Sequence, residues 1–468
     1  MFSDTKYSVW ALLIPVLWLL TFSVPHLDQG DFRTDTGRYA AVGLQMWDRG
    51  DLLFSYTQPE SPYFRKPPLG FWIHGAVMKL FGVDLTVARA PSIVAALGTL
   101  LLTFWWVLKQ GNRTWAFATA LVLAITYEFV RRTREISLDH WQLLFMLAAT
   151  IVVLQAVQRR ENGWGGATLA GVLFGLSLLV KPLGGGIAFG IAGLWLIATR
   201  RLDKRTFIQM LWVFVVMMVV GGVWHVYMYA EFGQAFIDGY LGGEVIDRLE
   251  GEVNPVGWSY YPQLWLATYW PWLPIFLWGL FAVYSQRQQQ RPGERDVLWL
   301  ALIWLVMWGL VLILLPDKRP RYALVMYPAA AIISAYGLMS WSWAKKWLEK
   351  KPSLWQVIAP SLLLMILAVA PLRVQAPADP DWQALFAWMD TQGIEPKALW
   401  EYHIYDGDAG RFYLRYRQWP HAAIDRLTLQ PKPVPSGSLL LYTDSIQPPQ
   451  TQTVLFQAGK LTVARVPD

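Results

Sequence analysis

Long apolar stretches recur along the first 371 residues, and they constrain the fold more than any other feature. A bilayer core takes roughly 20 apolar residues per helix, with tolerance from about 17 to 25. Eleven stretches meet or approach that length: 8–26, 86–108, 114–130, 138–157, 164–180, 184–199, 206–230, 262–284, 296–315, 321–343 and 354–371. Hydrophobic residues make up 55% of the 468-residue chain and charged residues only 16%, so a soluble globule and a disordered chain are excluded. The expectation is a polytopic α-helical membrane protein with about eleven transmembrane helices. No small-x-small cleavage pattern follows Ile14–Val24, so this stretch is expected to belong to the first span rather than to a leader. The absence of cysteine excludes disulfides, thiolate metal sites and a cysteine nucleophile.

Basic residues give the sidedness. With the N-terminus in the cytoplasm, all five cytoplasmic connections carry Lys or Arg, fifteen residues in total from Lys109 to Lys351. An eleven-span count then places the C-terminal segment outside. From Gln375 the chain turns polar, proline-punctuated and alternating. A helical stretch at 381–389 precedes strand-like runs at 399–405, 411–417, 439–443, 453–456 and 461–466. Residues 1–374 read as the membrane domain and 375–468 as a small α/β domain outside the membrane, which the resemblance given below makes periplasmic. Two outer clusters break the charge rule: Arg131-Arg132-Thr133-Arg134 and Asp317-Lys318-Arg319-Pro320-Arg321. Either the statistical rule tolerates them, or they build an anion site at the outer face.

Other chemistry-bearing residues fall on the same face. Asp35 opens a helical stretch to about Trp47, with Tyr39, Val42, Met46 and Trp47 on one side. This reads as an amphipathic interfacial helix. Asp35 is either only its N-cap or a functional carboxylate. In Tyr63-Phe64-Arg65-Lys66-Pro67-Pro68-Leu69, two prolines fix a rigid turn that presents Arg65 and Lys66 at the membrane surface. Asp139 stands at the mouth of a span, where an acid is costly unless paired or functional. Lys181-Pro182 ends the fifth stretch. Glu244 and Arg248 share a helical face, either as a surface ion pair or toward substrate. Arg38, Tyr39, Tyr63 and Tyr322 accompany these charges as substrate-contacting candidates, while most of the 28 Trp are expected to anchor at the interface.

The order Asp35-x-x-Arg-Tyr-Ala, Tyr-Phe-x-Lys-Pro-Pro-Leu, Leu-Asp, a Lys after the fifth span and Lys-x-x-x-Arg-Tyr at the tenth resembles the polyprenyl-phosphate-dependent GT-C glycosyltransferases. Lipid A aminoarabinose transferases and bacterial relatives of protein O-mannosyltransferases are the most similar, over about residues 8–345. The resemblance implies an inverting enzyme of the bacterial inner membrane. Such an enzyme moves a sugar from a polyprenyl phosphate to an envelope acceptor on the periplasmic face. It matches Asp35 and Asp139 to the family's acidic positions, and Lys66, Lys181 and Lys318 to basic positions around the donor phosphate. Arg65, Arg131 and Arg321 are added as donor-phosphate candidates.

Arg65 stands where the aminoarabinose transferases have Glu, and Glu244-Val245 where they have Glu-His. That Glu and His are a metal pair in the group, so no metal or other cofactor is expected. The expected partners are the lipid-linked donor, a lipid, glycan or protein acceptor, and membrane lipids. No nucleic acid is expected, and the chain is expected to be a monomer. The leaving phosphate needs cations rather than a general acid. A hydroxyl acceptor would need a carboxylate base, whereas a phosphate acceptor would need only positioning. A transporter or flippase, or a noncatalytic binder of lipid-linked glycans, is the alternative. It is disfavoured by acidic groups gathered at one surface rather than at the midplane.

The charge pattern predicts that a reporter fused after Asp468 is active only if it functions outside the cytoplasm. A fusion active only in the cytoplasm would overturn the eleven-span topology.

Overall fold

The structure, a computed structural model, describes residues 5–25, 27–28, 35–58, 61–158, 163–246, 256–270, 272–342, 344, 346, 380–394, 399–402, 437–443 and 453–467. Its helices are α1 (Thr5–Ser23), α2 (Asp35–Arg49), α3 (Leu69–Phe81), α4 (Leu85–Gln110), α5 (Arg113–Ala124) and α6 (Tyr127–Arg131). They continue as α7 (Leu138–Gln158), α8 (Gly163–Val180), α9 (Gly184–Ala198), α10 (Lys204–Phe232) and α11 (Gln234–Ile237). A π-helical segment follows at Asp238–Ile246, then α12 (Tyr260–Thr268), α13 (Trp272–Ser285), α14 (Pro292–Leu314), α15 (Tyr327–Ser340) and α16 (Pro380–Gln392). Contacts divide the chain into two units, one of residues 1–25, 64–70 and 90–373, the other of residues 26–63, 71–89 and 374–468.

The chain is a multi-pass membrane protein. Among the described residues six helical segments are long and apolar enough to cross a bilayer: α4, α7, α8, α10, α14 and Pro320–Ser340. A seventh follows if α12 and α13, bent by 111° at their junction, act as one broken span. Two of the eleven expected stretches give short helices: α9 has fifteen residues, and the 114–130 stretch breaks into α5 and α6 at Ile125–Thr126. α1, with nineteen residues, keeps the expected length of the first stretch. The 354–371 stretch lies outside the described residues.

Small residues and tryptophans hold the first unit together. Gly171 and Gly175 of α8 leave space that Val216 and Val220 of α10 occupy. Gly279 of α13 and Gly337 of α15 meet backbone to backbone, the close approach that small residues allow between membrane helices. Indole N–H groups bridge elements: Trp115 donates to the Ile332 carbonyl at 3.1 Å, Trp195 to Asp296 at 3.1 Å and Trp304 to Val325 at 2.7 Å. These three tryptophans are core donors, not the interfacial anchors expected of most of them. Each apolar ring fills the core while its polar atom finds a buried carbonyl.

In the second unit α2 packs on α3. Gly43 and Gly75 bring the two backbones together, and Tyr39 and Tyr63 lie against the Phe71 ring at 5.7 and 6.0 Å. Nine of the fifteen α2 residues are buried, so α2 is covered by protein rather than lying half-exposed in the interface. β1 (Tyr56–Gln58) and β2 (Ser61–Pro62) pair antiparallel, and near the C-terminus four strands, β3 (Leu399–Tyr402), β4 (Leu439–Thr443), β5 (Thr453–Ala458) and β6 (Leu461–Arg465), form a sheet of order β3-β4-β6-β5. Only β3 and β4 run parallel. α16 covers β5 with Trp388 stacked on Phe456 at 4.9 Å. The expected strand at 411–417 lies outside the described residues.

Gly279→Val should lower thermal stability in detergent by about 1–3 kcal/mol, since its Cβ would run into the Ile333 carbonyl and α15 cannot withdraw. Substitution without loss would refute the close α13–α15 contact.

Candidate functional site

α8 ends because Pro182 has no N–H with which to continue it. Lys181 is left at that end, its own N–H still bonded to the Ser177 carbonyl at 3.1 Å. α7 meets it with two side chains one turn apart. The Asp139 carboxylate accepts the Lys181 ammonium at 2.6 Å, and the Gln142 amide donates to the Lys181 carbonyl at 3.1 Å. Asp139 lies in the first turn of α7, where the helix dipole favours negative charge. Both partners are buried.

Tyr322 completes this cluster. Its ring lies 5.6 Å below the Lys181 ammonium and 5.7 Å from the Arg321 guanidinium, and its hydroxyl donates to Asp317 at 3.2 Å. Lys66 arrives from the double-proline turn. The two basic residues there separate: Arg65 is exposed and Lys66 is buried, so the turn does not present both at the surface. Lys66, Asp139, Gln142, Lys181, Asp317 and Tyr322 form the polar part of the wall of one cavity of about 190 Å³. Ile187 of α9 with Trp308, Val311 and Leu312 of α14 form its apolar part.

The other basic candidates make different contacts. The Lys318 ammonium donates to the carbonyls of Ile313, at 3.0 Å, and Leu315, closing the C-terminal end of α14. Burial lowers the Lys318 pKa against the opposing pull of Asp317. Arg131 reaches Glu128 at 3.2 Å and Glu135 at 3.3 Å, and Arg132 reaches the same two residues at 3.0 and 2.8 Å. Burial works against the Arg132 charge, but Glu135 and Glu128 outweigh it and raise its pKa. Arg134 donates to the Phe22 carbonyl in the last turn of α1 and to the Pro25 carbonyl just after it. Neither Lys318 nor Arg131 lines the cavity.

Asp35, Arg38, Tyr39 and Tyr63 belong to the second unit. Asp35 is the first residue of α2 and pairs with Arg38 at 3.8 Å. Glu244 falls in the π-helical segment, and Arg248 lies outside the described residues. Sequence reasoning missed Gln142 and Asp317 as site residues. Gln142 follows Asp139 by three positions, the helical spacing that puts both on one face. Asp317 stood inside a cluster read only for its cations.

Residues 65–225 match the family model for dolichyl-phosphate-mannose-protein mannosyltransferase. The undecaprenyl phosphate-alpha-4-amino-4-deoxy-L-arabinose arabinosyl transferase of Erwinia tasmaniensis is 24% identical over 352 residues, 71% of this chain and 60% of that protein. The Serratia proteamaculans enzyme of the same name is 25% identical over 70% of this chain and 59% of its own length. The chain therefore spans about three-fifths of the length of these relatives. The crystal structure of ArnT from Cupriavidus metallidurans bound to undecaprenyl phosphate superposes with a TM-score of 0.74 at 17% identity, covering 99% of this chain and 98% of that one. The chain has the GT-C fold. It resembles the polyprenyl-phosphate glycosyltransferases that share it, the aminoarabinose transferases and the protein O-mannosyltransferases. An archaeal oligosaccharyltransferase, AglB from Archaeoglobus fulgidus, matches more loosely, with a TM-score of 0.54 at 14% identity over 93% of this chain and 62% of that one.

Asp139→Asn leaves the buried Lys181 ammonium without this counter-charge and should cost about 3–5 kcal/mol of stability, as should Lys181→Met. The double variant should cost clearly less than the sum of the two. A thermal-unfolding double-mutant cycle in detergent checks this, and strict additivity would show that the pair does not couple.

Proposed function

We propose that this chain is an integral-membrane, inverting glycosyltransferase that moves a sugar from a polyprenyl-phosphate donor to an envelope acceptor. The acceptor is a hydroxyl or phosphate of lipid A, a glycan or a protein. The observation that carries this reading is a single cavity with Lys66 and Lys181 on its polar wall and Ile187, Trp308, Val311 and Leu312 on its apolar wall. A lipid phosphate has those two parts in that order. The transferase names of the relatives and the undecaprenyl phosphate bound to the ArnT of the same fold support it.

The chemistry is electrostatic. When the sugar carbon leaves its phosphate, negative charge grows on phosphate oxygens. Preformed cations stabilise that charge without reorganisation. Lys66 and Lys181 supply it, with Arg321 beside Tyr322 as a further cation. Asp139 holds the Lys181 ammonium rather than acting as base, since its carboxylate is already engaged at 2.6 Å. The acceptor side is assigned to Asp35, on its match to the family's first-loop Asp, with Arg38 to orient it. Asp35 takes the proton of a hydroxyl acceptor or positions an acceptor that is already anionic.

In this reading the enzyme works as a monomer at the periplasmic face of a bacterial inner membrane. It also works without a metal. Arg65, in place of the relatives' Glu, carries charge of the wrong sign for a cation ligand, and Val245, in place of their His, has no donor atom. These residues do not fit a divalent ion.

The test is transfer from a radiolabelled polyprenyl-phosphate sugar by the purified protein. Lys66→Ala should reduce kcat/KM for the donor by about 100-fold, the size of effect that loss of one preorganised charge has at such sites. Asp35→Asn should abolish transfer to a hydroxyl acceptor while leaving donor binding intact. EDTA should change neither rate. Unchanged donor kinetics in Lys66→Ala would defeat the phosphate assignment. Activity lost to EDTA and restored by a divalent ion would defeat the metal-free part.

A further inference from the structure

The turn between α8 and α9 is strained at a residue that has an ordinary side chain. Leu183 has φ +69° and ψ −38°, and only Arg200 shares a positive φ among the described residues other than glycine. The Gly184 N–H donates back to the Pro182 carbonyl at 2.9 Å, closing a three-residue γ-turn around Leu183. A γ-turn of this hand is rare and strained. Its surroundings impose it. Gln142 holds the Lys181 carbonyl, Pro182 has a fixed φ, and Gly184 and Gly185 press against the Gln142 side chain and the Phe174 carbonyl with no room for a Cβ.

Glycine would take this conformation at no steric cost. Leucine keeps it, and the residue is 56% exposed while lining the cavity. It stands two residues after Lys181 and four before Ile187, the next apolar residue on the same wall. Strain held at a ligand-facing position by over-determined neighbours points to use of the side chain.

We propose that Leu183 is a donor-specificity residue. Its side chain, with Ile187 one helical turn further on, receives the first isoprene units of a polyprenyl phosphate whose phosphate lies at Lys181. The strained turn fixes this apolar contact directly beside the cation. The inference rests on the polyprenyl-phosphate reading of the cavity.

The experiment compares wild type, Leu183→Ala, Leu183→Gly and Leu183→Met, full length in detergent, by thermal unfolding with and without undecaprenyl phosphate, and with inorganic phosphate as control. Without ligand, Leu183→Gly should melt above Leu183→Ala, the reverse of the usual order, because only glycine relieves the turn. Undecaprenyl phosphate should raise the melting temperature of wild type and Leu183→Met, and raise it less than half as far in the Ala and Gly variants. Inorganic phosphate should not distinguish the four. In turnover, KM for the lipid donor should rise about tenfold in Ala and Gly, the scale of one lost leucine contact, with kcat within about twofold. Equal stabilisation of wild type and Leu183→Ala by undecaprenyl phosphate would overturn the role of Leu183 and leave the donor reading standing. No stabilisation of wild type would overturn the donor reading, and this proposal with it. Ala melting at or above Gly would overturn the strain.

Discussion

The buried ion pair between Asp139 and Lys181 is the interaction on which the rest of the site depends. Two charges withdrawn from water repay their desolvation only when the geometry is close and the remaining hydrogen-bonding capacity is used. Here the contact is 2.6 Å, and Gln142 holds the carbonyl of the same lysine. α7 thus grips Lys181 at both ends. Pro182 stops α8, and the grip then holds Lys181 beside α7 with its ammonium over the face of Tyr322. A pair of this kind gives little net stability, but it fixes one arrangement of three elements. The proposed reaction asks for that, since a preformed arrangement stabilises a charge that appears only in the transition state.

Hydropathy made the membrane helices legible because lipid demands that every backbone group be satisfied within the helix. Length was less legible. The 114–130 run reads as one span, yet it breaks at Ile125–Thr126, where Thr126 bonds back to the Val122 carbonyl and a second short helix begins. The contacts between helices were not legible. Gly279 and Gly337 are 58 positions apart, and nothing in either local sequence says that their backbones meet. α2 shows the same limit. Its apolar spacing was correctly read as helical, but periodicity cannot distinguish a face turned to lipid headgroups from one covered by α3.

Among the charged residues, the sequence identified positions better than roles. Asp139 and Lys181 were singled out one at a time, and their pairing is a tertiary fact. Arg65 and Lys66 were both expected at the membrane surface, on the turn that Pro67 and Pro68 fix. The rigid double-proline turn sends Lys66 inward and leaves Arg65 exposed. Leu183 carried no signal, since an apolar residue after Lys-Pro in a membrane protein is unremarked. Its meaning lies in the sign of a dihedral angle.

The two basic clusters on the outer face illustrate how structure reassigns a sequence anomaly. Positive charge there needs a compensating interaction, and both clusters have one within the protein. Arg131 and Arg132 are matched by Glu128 and Glu135, and Lys318 is matched by the carbonyl end of α14. These cations are already committed to the fold, and withdrawing them to bind an anion would expose buried acids and helix carbonyls. A phosphate site is better built from cations that already face a cavity. Lys66 and Lys181 do so, beside an apolar wall, and that pairing is what makes the cavity the place for the proposed lipid phosphate.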